Sequence, residues 1–472
     1  MLPWKLLTAL VCAFGFFKDL RPSEAYLTVY LTGPWKNLTV TQVDNEIYPW
    51  WTYSYLLWMV PVFLLTDYFR YKPTLVGVGI AYIVTWALLL WAQGVPAMKA
   101  MQMTFGLGTA CEISYFSYIF AVVPGDYFQK VSSFTRAASL AGKFIAYLWG
   151  QLLTYYNVLN YFQLNIFSFV SVCIAFLISL LLPRSEYSEL FNPKRFVDEE
   201  EEKTNNPQAP STDQTKDDSG DIEPCSGLNV TEKTISLLKF LFLEAKSAYS
   251  NKTVQIWSIW WALAACGNFQ VANYVQNLWD ILSPYHNYNP RKHHIYNGAV
   301  EAAGTLLSSC AVLAVGFLPV NWSVPGRCEL VTTVICGLNA IFLLIMSQTS
   351  SIWVCYVLYD LFRSTYQIVL VIAAAQIASA LTRKRYGFVF GCNTFVALLV
   401  ESILTAIVVD KAGLDVKVRT QFVVYGIYFA VLTLGFLVAL VYTCIKKPSP
   451  APEQLEMEPV ETDDECKGGS TI

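Results

Sequence analysis

About a dozen long apolar runs pass through this chain, and several of them carry a charge in mid-run. Arg21 and Glu24 interrupt the first, Glu112 the fourth, Lys143 the fifth, Glu301 the eighth, Arg363 the tenth and Glu401 the eleventh. A helix of about 20 apolar residues spans the hydrocarbon core of a bilayer. A charge at the midplane is costly there and by default faces a bundle interior or a water-filled path. The pattern restricts the chain to an all-α membrane protein and points to movement of a polar or charged solute.

Composition agrees. Hydrophobic residues make up 55% and charged residues 14%, with a mean hydropathy of +0.42. A soluble globule carries roughly a quarter charged residues. The net charge of -3 offers no footprint for nucleic acid, so lipid is the expected surrounding. The twelve cysteines are spread singly, without a C-x-x-C pair, and read as small reduced core residues. His286, His293 and His294 share one loop and read as loop surface rather than a metal site. No G-x-x-x-x-G-K-[ST] loop, nucleophile elbow or H-E-x-x-H motif occurs. These features predict a carrier driven by gradients, with no cofactor, rather than an enzyme.

The runs predict twelve transmembrane helices near 4–32, 48–69, 73–93, 98–123, 131–156, 160–183, 253–281, 297–319, 327–347, 351–380, 386–410 and 419–445. Lys5 and the following apolar stretch resemble a signal peptide, but no small-x-small site precedes the polar break, so the first helix is read as uncleaved. Residues 184–250 are acidic and rich in Pro, Ser, Thr and Asn, as is the tail, and both are expected to be disordered. The division is a six-helix half over 1–183, a linker over 184–250, a second half over 251–447 and a tail over 448–472. That is the major facilitator plan. A faint echo between Cys12-Ala-Phe-Gly15 and Cys266-Gly267-Asn-Phe supports two related halves.

Lys and Arg concentrate in the loops that lie inside if both termini are cytosolic. Asn37-Leu-Thr then falls in the first external loop, where it accepts a glycan. The sequons at Asn229, Asn251 and Asn321 fall inside.

Four groups carry the candidate chemistry. Lys18, Asp19, Arg21 and Glu24 crowd two helical turns around Pro22, which permits a kink. Glu24 reads either as a pocket acid or as one half of an i,i+3 pair with Arg21. Tyr48 and Trp51 lie three apart at the start of the second helix, on one face, and read as an interfacial belt or as a stack for a flat ring. The buried charges read as pocket groups or as fixed pairs, for example Lys143 with Glu112 or Glu401. Asp67-Tyr-Phe-Arg70-Tyr-Lys72-Pro reads as a helix latch or a positive-inside flank.

Longer motifs carry a resemblance. Arg21-Pro-Ser-Glu24, Lys36-Asn-Leu-Thr, Asn45-Glu-Ile-Tyr-Pro, Trp51-Thr-Tyr-Ser-Tyr-Leu, Leu65-Thr-Asp-Tyr-Phe-Arg-Tyr-Lys-Pro, Ile295-Tyr-Asn-Gly and Asn393-Thr-Phe resemble the reduced folate and thiamine carriers. The resemblance runs from the first helix through the twelfth. It implies a plasma-membrane vitamin carrier that works by alternating access and couples to protons or organic anions. Glu112, Gly267, Asn273, Glu301, Tyr48 and Trp51 resemble the thiamine branch. Arg136 and Arg363 resemble the folate branch. The fourth-helix acid of both branches is Gln102 here, with Phe105 for its tyrosine neighbour. Lys143 stands where a thiamine-pocket tyrosine is expected, and Glu401 where folate carriers have lysine. Lys143, Arg136 and Arg363 together tilt the expectation toward a folate-like anion held by its carboxylates. A thiamine-like cation, or a membrane receptor that binds without transport, are the alternatives.

Overall fold

The computed structural model describes residues 4–68, 71–122, 128–184, 245–283, 295–317, 326–380 and 386–445, with Lys239 and Leu243. Most of the expected linker, the tail, the histidine loop, the Arg383-Lys384-Arg385 run, Asn229 and Asn321 lie outside these residues. So do the side chain of Asp67 and all of Arg70.

Every described long element is helical. The first group comprises α1 (Trp4–Asp19), α2 (Leu27–Thr32), α3 (Pro49–Tyr68), α4 (Lys72–Trp91), α5 (Val95–Val122), α6 (Phe128–Tyr155) and α7 (Tyr161–Leu181). The second comprises α8 (Lys252–Leu282), α9 (Asn297–Phe317), α10 (Arg327–Gln348), α11 (Ile352–Ala380), α12 (Tyr386–Leu404) and α13 (Val418–Ile445). Among the described residues, six segments are long and apolar enough to cross a membrane by length and composition alone: Lys72–Trp91, Tyr161–Leu181, Arg327–Gln348, Ile352–Ile377, Val389–Val409 and Val418–Thr443. α1, with 16 residues, is too short by itself.

The first expected helix is broken. α1 stops at Asp19, and the chain resumes as a 3-10 turn, Glu24–Tyr26, that leads into α2. Pro22 supplies no amide hydrogen, so the backbone ladder cannot continue through it. Arg21 N–H donates to the Asp19 carbonyl at 2.9 Å and Glu24 N–H to the Arg21 carbonyl at 3.2 Å. Neighbouring helices finish the satisfaction. Ser23 N–H donates to Ser168 Oγ at 3.2 Å, the two hydroxyls meet at 2.8 Å, and Trp86 Nε1 donates to Ser23 Oγ at 3.1 Å. Irregular backbone at membrane depth persists only with such partners. A π-helical segment, Gln42–Ile47, precedes α3, and another, Thr405–Val409, closes α12.

In the first bundle α1 packs on α6 and α7, α4 on α5 and α7, and α3 on α5. In the second, α10 packs on α13 and α11, α9 on α11, and α8 on α11, α12 and α13. α9 crosses to α6 and α12 to α3, which joins the bundles. Between apolar helices in lipid, close approach supplies the attraction, and small residues permit it. A Cβ at Gly142 would stand 2.5 Å from the Phe16 carbonyl, so this glycine sets the α1–α6 spacing. Gly298, the last residue of the Ile295-Tyr-Asn-Gly motif, does the same between bundles. A Cβ there would meet Tyr26 Oη at 2.7 Å and the Tyr147 carbonyl at 2.8 Å.

Gly142→Val is expected to lower stability by about 1–3 kcal/mol, the range for overpacking. Gly77→Ala, where an added Cβ meets nothing within 4 Å, is expected to be neutral. Thermal unfolding of the purified protein, followed by monodispersity, reads both. Equal melting temperatures for the two variants would contradict the packing account.

Candidate functional site

The break in the first helix gathers a charge network. Arg21 is almost fully buried, 3.2 Å from Glu24 and 3.6 Å from Asp19. Its guanidinium lies 4.8 Å from the ring centroid of Tyr82, 5.4 Å from Trp86 and 5.6 Å from Phe105. Faces of aromatic rings attract a desolvated cation, so Phe105 retains a role without a hydroxyl. Lys18, 2% exposed, reaches Asp19 at 3.1 Å and Glu112 at 2.9 Å. Tyr82 Oη donates to the other side of this knot, at Glu112 Oε1. Lys143, on the α6 face turned to α1, lies 3.9 Å from Asp19.

The fixed partners anticipated for Lys143 are therefore corrected. Its ion pair is with Asp19. Glu112 is held by Lys18, the nearer cation. Glu401 is fully buried and accepts from Thr52 Oγ1 at 3.1 Å, across the bundles. Its second oxygen has no hydrogen-bond partner.

The second bundle supplies a smaller network. Arg363 Nη1 donates to Glu301 Oε2 at 2.5 Å, and Tyr359 Oη donates to Glu301 Oε1 at 3.3 Å. Asp360 stands beside this pair; its buried Oδ1 has no hydrogen-bond partner. Tyr147 of α6 is within electrostatic range of Glu24, Arg21, Glu301 and Arg363, so it stands between the two networks.

The remaining sequence candidates fall as follows. Tyr48 is 3% exposed, bonds Thr28 through its hydroxyl at 2.7 Å, and tilts against Tyr274 with ring centroids 6.3 Å apart. Trp51 is half-buried beside Tyr55, with its indole N–H donating to Thr109 Oγ1 at 3.4 Å. Both tyrosine and tryptophan thus sit inside the bundle rather than in a belt. Gln102 is buried on α5. Asn273 Nδ2 on α8 is a buried donor with no hydrogen-bond partner. Arg136 is exposed on α6. Asn37 is exposed, in the left-handed conformation with φ 53°. Asn251 caps α8: its Oδ1 accepts from Thr253 N–H and its Nδ2 donates to the Ala380 carbonyl.

Tyr82, Tyr147, Tyr359 and Asp360 were not singled out from sequence, and Asp19 was named only as a member of the Lys18–Glu24 cluster. Asp360 had a signal, an acid one helical turn before Arg363 in an apolar run. The tyrosines had none, because a tyrosine in an apolar run reads as core.

Across the networks, Lys18, Arg21, Lys143 and Arg363 are matched with Asp19, Glu24, Glu112 and Glu301, while Asp360 and Glu401 are further carboxyl groups for which the described residues show no ion pair. The bundles are tied together at the Asn37 end. There Asn45 Nδ2 donates to the Val409 carbonyl at 2.7 Å, Tyr53 Oη to Asp410 at 2.9 Å, and Lys411 Nζ to Glu46 at 3.0 Å. Nearer the networks, Gln276 Nε2 donates to the Glu24 carbonyl at 3.0 Å. The two bundles are thus joined by side-chain bonds both at the Asn37 end and beside the charge networks.

The chain is similar to known transporters along most of its length. The family described as Reduced folate carrier matches residues 3–424. Thiamine transporter 2 of Homo sapiens is 41% identical over 96% of this chain and 94% of its own length. Reduced folate transporter of Homo sapiens is 35% identical over 91% of this chain and 71% of its own length. Among solved structures, the POT family transporter PepTSo superposes with a TM-score of 0.65 at 12% identity, over 94% of this chain and 99% of that one. The nucleoside transporter NupG superposes at 0.58 and 13% identity, over 92% of this chain and 99% of that one. These likenesses establish an all-helical fold of the major facilitator type, a membrane transporter rather than an enzyme, and a vitamin-transporting kinship: the chain belongs to the reduced folate carrier family.

Proposed function

We propose that this protein is a secondary-active, twelve-span plasma-membrane carrier that takes up a thiamine-like cationic vitamin by alternating access. The observation that carries the substrate class is the state of the cations. A folate-like anion would need Lys143, Arg136 and Arg363 for its carboxylates. Lys143 stands 3.9 Å from Asp19 and Arg363 is bound to Glu301. Asp360 and Glu401 are carboxyl groups with no ion pair among the described residues, and a positive ligand would compensate them. Tyr147 lies one turn beyond Lys143 on the same face of α6, which keeps a tyrosine near the place where the thiamine branch has one. The resemblance to Thiamine transporter 2 supports the same class. Tyr48, Trp51, Gln102, Asn273 and Glu301 are the proposed ligand contacts, with Glu24, Glu112, Glu401, Lys143, Arg136 and Arg363 setting the charge around them.

The proposed topology places residues 1–183 and 251–447 as two six-helix halves, the linker and both termini in the cytosol, and Asn37 outside. The bundle ties then shut the external end. The coupling partner is a proton or an organic anion.

Uptake of labelled thiamine and labelled reduced folate, normalised to surface protein, tests the substrate class. Saturable thiamine accumulation with little folate uptake is expected. The reverse ratio restores the anion reading, and surface binding without accumulation makes the protein a receptor.

Glu301→Gln strips the partner from a buried guanidinium, and breaking such a pair costs about 3–5 kcal/mol. Surface expression is expected to fall and to recover in Glu301→Gln with Arg363→Gln, while uptake stays low in both. Full uptake in the double variant would show that the pair only supports the fold.

Asn37→Gln is expected to remove all glycosidase-sensitive mass, since Asn251 is committed as a helix cap. A glycan that survives this change would invert the topology.

A further inference from the structure

Between α2 and α3, outside the spans, Asp44 is 2% exposed. Its two oxygens accept amides from two helices of the opposite bundle: Asn277 Nδ2 of α8 at 2.7 Å and Gln421 Nε2 of α13 at 2.8 Å. Asn277 Oδ1 in turn accepts from Thr28 Oγ1 of α2 at 2.9 Å, and that hydroxyl meets Tyr48 Oη. The carboxyl is thus the centre of a knot that joins the bundles above the charge networks. Among the described residues no lysine or arginine forms an ion pair with it. Lys99 and Lys411, the nearby cations at this rim, are taken by Glu46. The titratable groups facing it are Tyr48, Tyr274 on α8, Tyr425 on α13, and Asp415 in the loop before α13; Asp280 acts on Tyr48. None supplies a positive charge.

We propose that Asp44 is a proton-sensitive latch of the external gate, which closes over the pocket when the carboxyl is protonated and is loosened when it is ionised. This rests on the carrier reading and topology given above. When the bundles part at this end, the carboxyl meets water and takes its ordinary carboxylate acidity. When they close, it is buried among amides and phenols beside Asp415. Burial is the dominant cause, and it raises the group to about 7 against two opposing amide hydrogen bonds. The closed gate therefore binds more protons than the open one at pH values between the ordinary carboxylate range and neutrality. Closure is favoured as external pH falls through neutrality and gains nothing further below the open-state value. Gln421 Oε1 is a buried acceptor with no hydrogen-bond partner in the closed form. Rotation of that amide brings an acceptor to the protonated oxygen. Each closure thereby takes up one proton from the external solution, and each reopening returns it there.

The test reads the gate without a substrate. Ile47 is fully buried beside the knot, and Thr41 is exposed on the same segment. Labelling of Ile47→Cys by a membrane-impermeant maleimide is measured on intact cells, relative to Thr41→Cys at the same pH, which cancels thiol reactivity. The ratio is expected to fall about tenfold from about pH 8 to about pH 6. Adding Asp44→Asn should make it independent of pH. Gln421→Ala removes a donor from the ionised carboxylate and should move the fall to higher pH, a second reading if the first variant does not reach the surface. A flat ratio with Asp44 present, or an unchanged fall in either variant, overturns the latch. Labelling of both cysteines only after permeabilisation overturns the external placement instead and leaves uptake of the vitamin unaffected.

Discussion

The structure depends on how the buried Arg21 is held. A guanidinium in the interior of a membrane bundle must be compensated where it stands, because it keeps its proton. Three aromatic faces from α4 and α5 and two carboxylates from its own segment do this. That arrangement needs the first helix to break, since a continuous helix would carry Arg21 and Glu24 past Tyr82 and Trp86. Pro22 makes the break, and Ser168 with Trp86 satisfies its polar groups. Lys18, Asp19, Glu112 and Lys143 then complete a network whose members neutralise one another.

This neutrality decides what the interior offers a ligand. Lys143 and Arg363 are already engaged by acids, and further carboxyl groups without an ion pair lie at Asp360 and Glu401. That is the basis for the proposed preference for a positive ligand. The second bundle repeats the logic on a smaller scale, with Tyr359 and Arg363 both spent on Glu301. The ties at the Asn37 end hold the two networks in register, and they are hydrogen bonds rather than an apolar seam. Bonds of that type exchange for water at low net cost, which suits two surfaces that must part and rejoin.

Much of the fold was legible because helix period and bilayer thickness constrain apolar runs strongly. Starts and stops such as 72–91, 161–181 and 418–445 fall within a few residues of the expected limits. The break at Pro22 was anticipated as a kink. Its completeness was not, because it depends on Ser168, which lies far along the chain. The residues of the site were partly legible, since an acid or base inside an apolar run is conspicuous: Glu112, Glu301, Arg363 and Glu401 are all buried or half-buried and partnered. Their pairing was not legible. Lys143 could be matched with any acid on the facing helices, and only packing selects Asp19. Tyr82, Tyr147 and Tyr359 stayed hidden because their polar function depends on the charge that each one meets. Asp44 was hidden for the opposite reason: it lies in a polar stretch, where an acid is unremarkable, and burial by the other bundle gives it significance.

The central claim is the proposed preference for a positive ligand, which rests on the engagement of Lys143 and Arg363 by acids and on the unpaired carboxyl groups of Asp360 and Glu401. Equilibrium binding to the purified protein in detergent tests it most directly, with thiamine compared with a neutral isostere whose thiazolium is replaced by an uncharged ring of the same shape. The account predicts tighter binding of the cation by about tenfold or more, equivalent to about 1.4 kcal/mol. Equal affinities, or preference for the neutral ring, would contradict it.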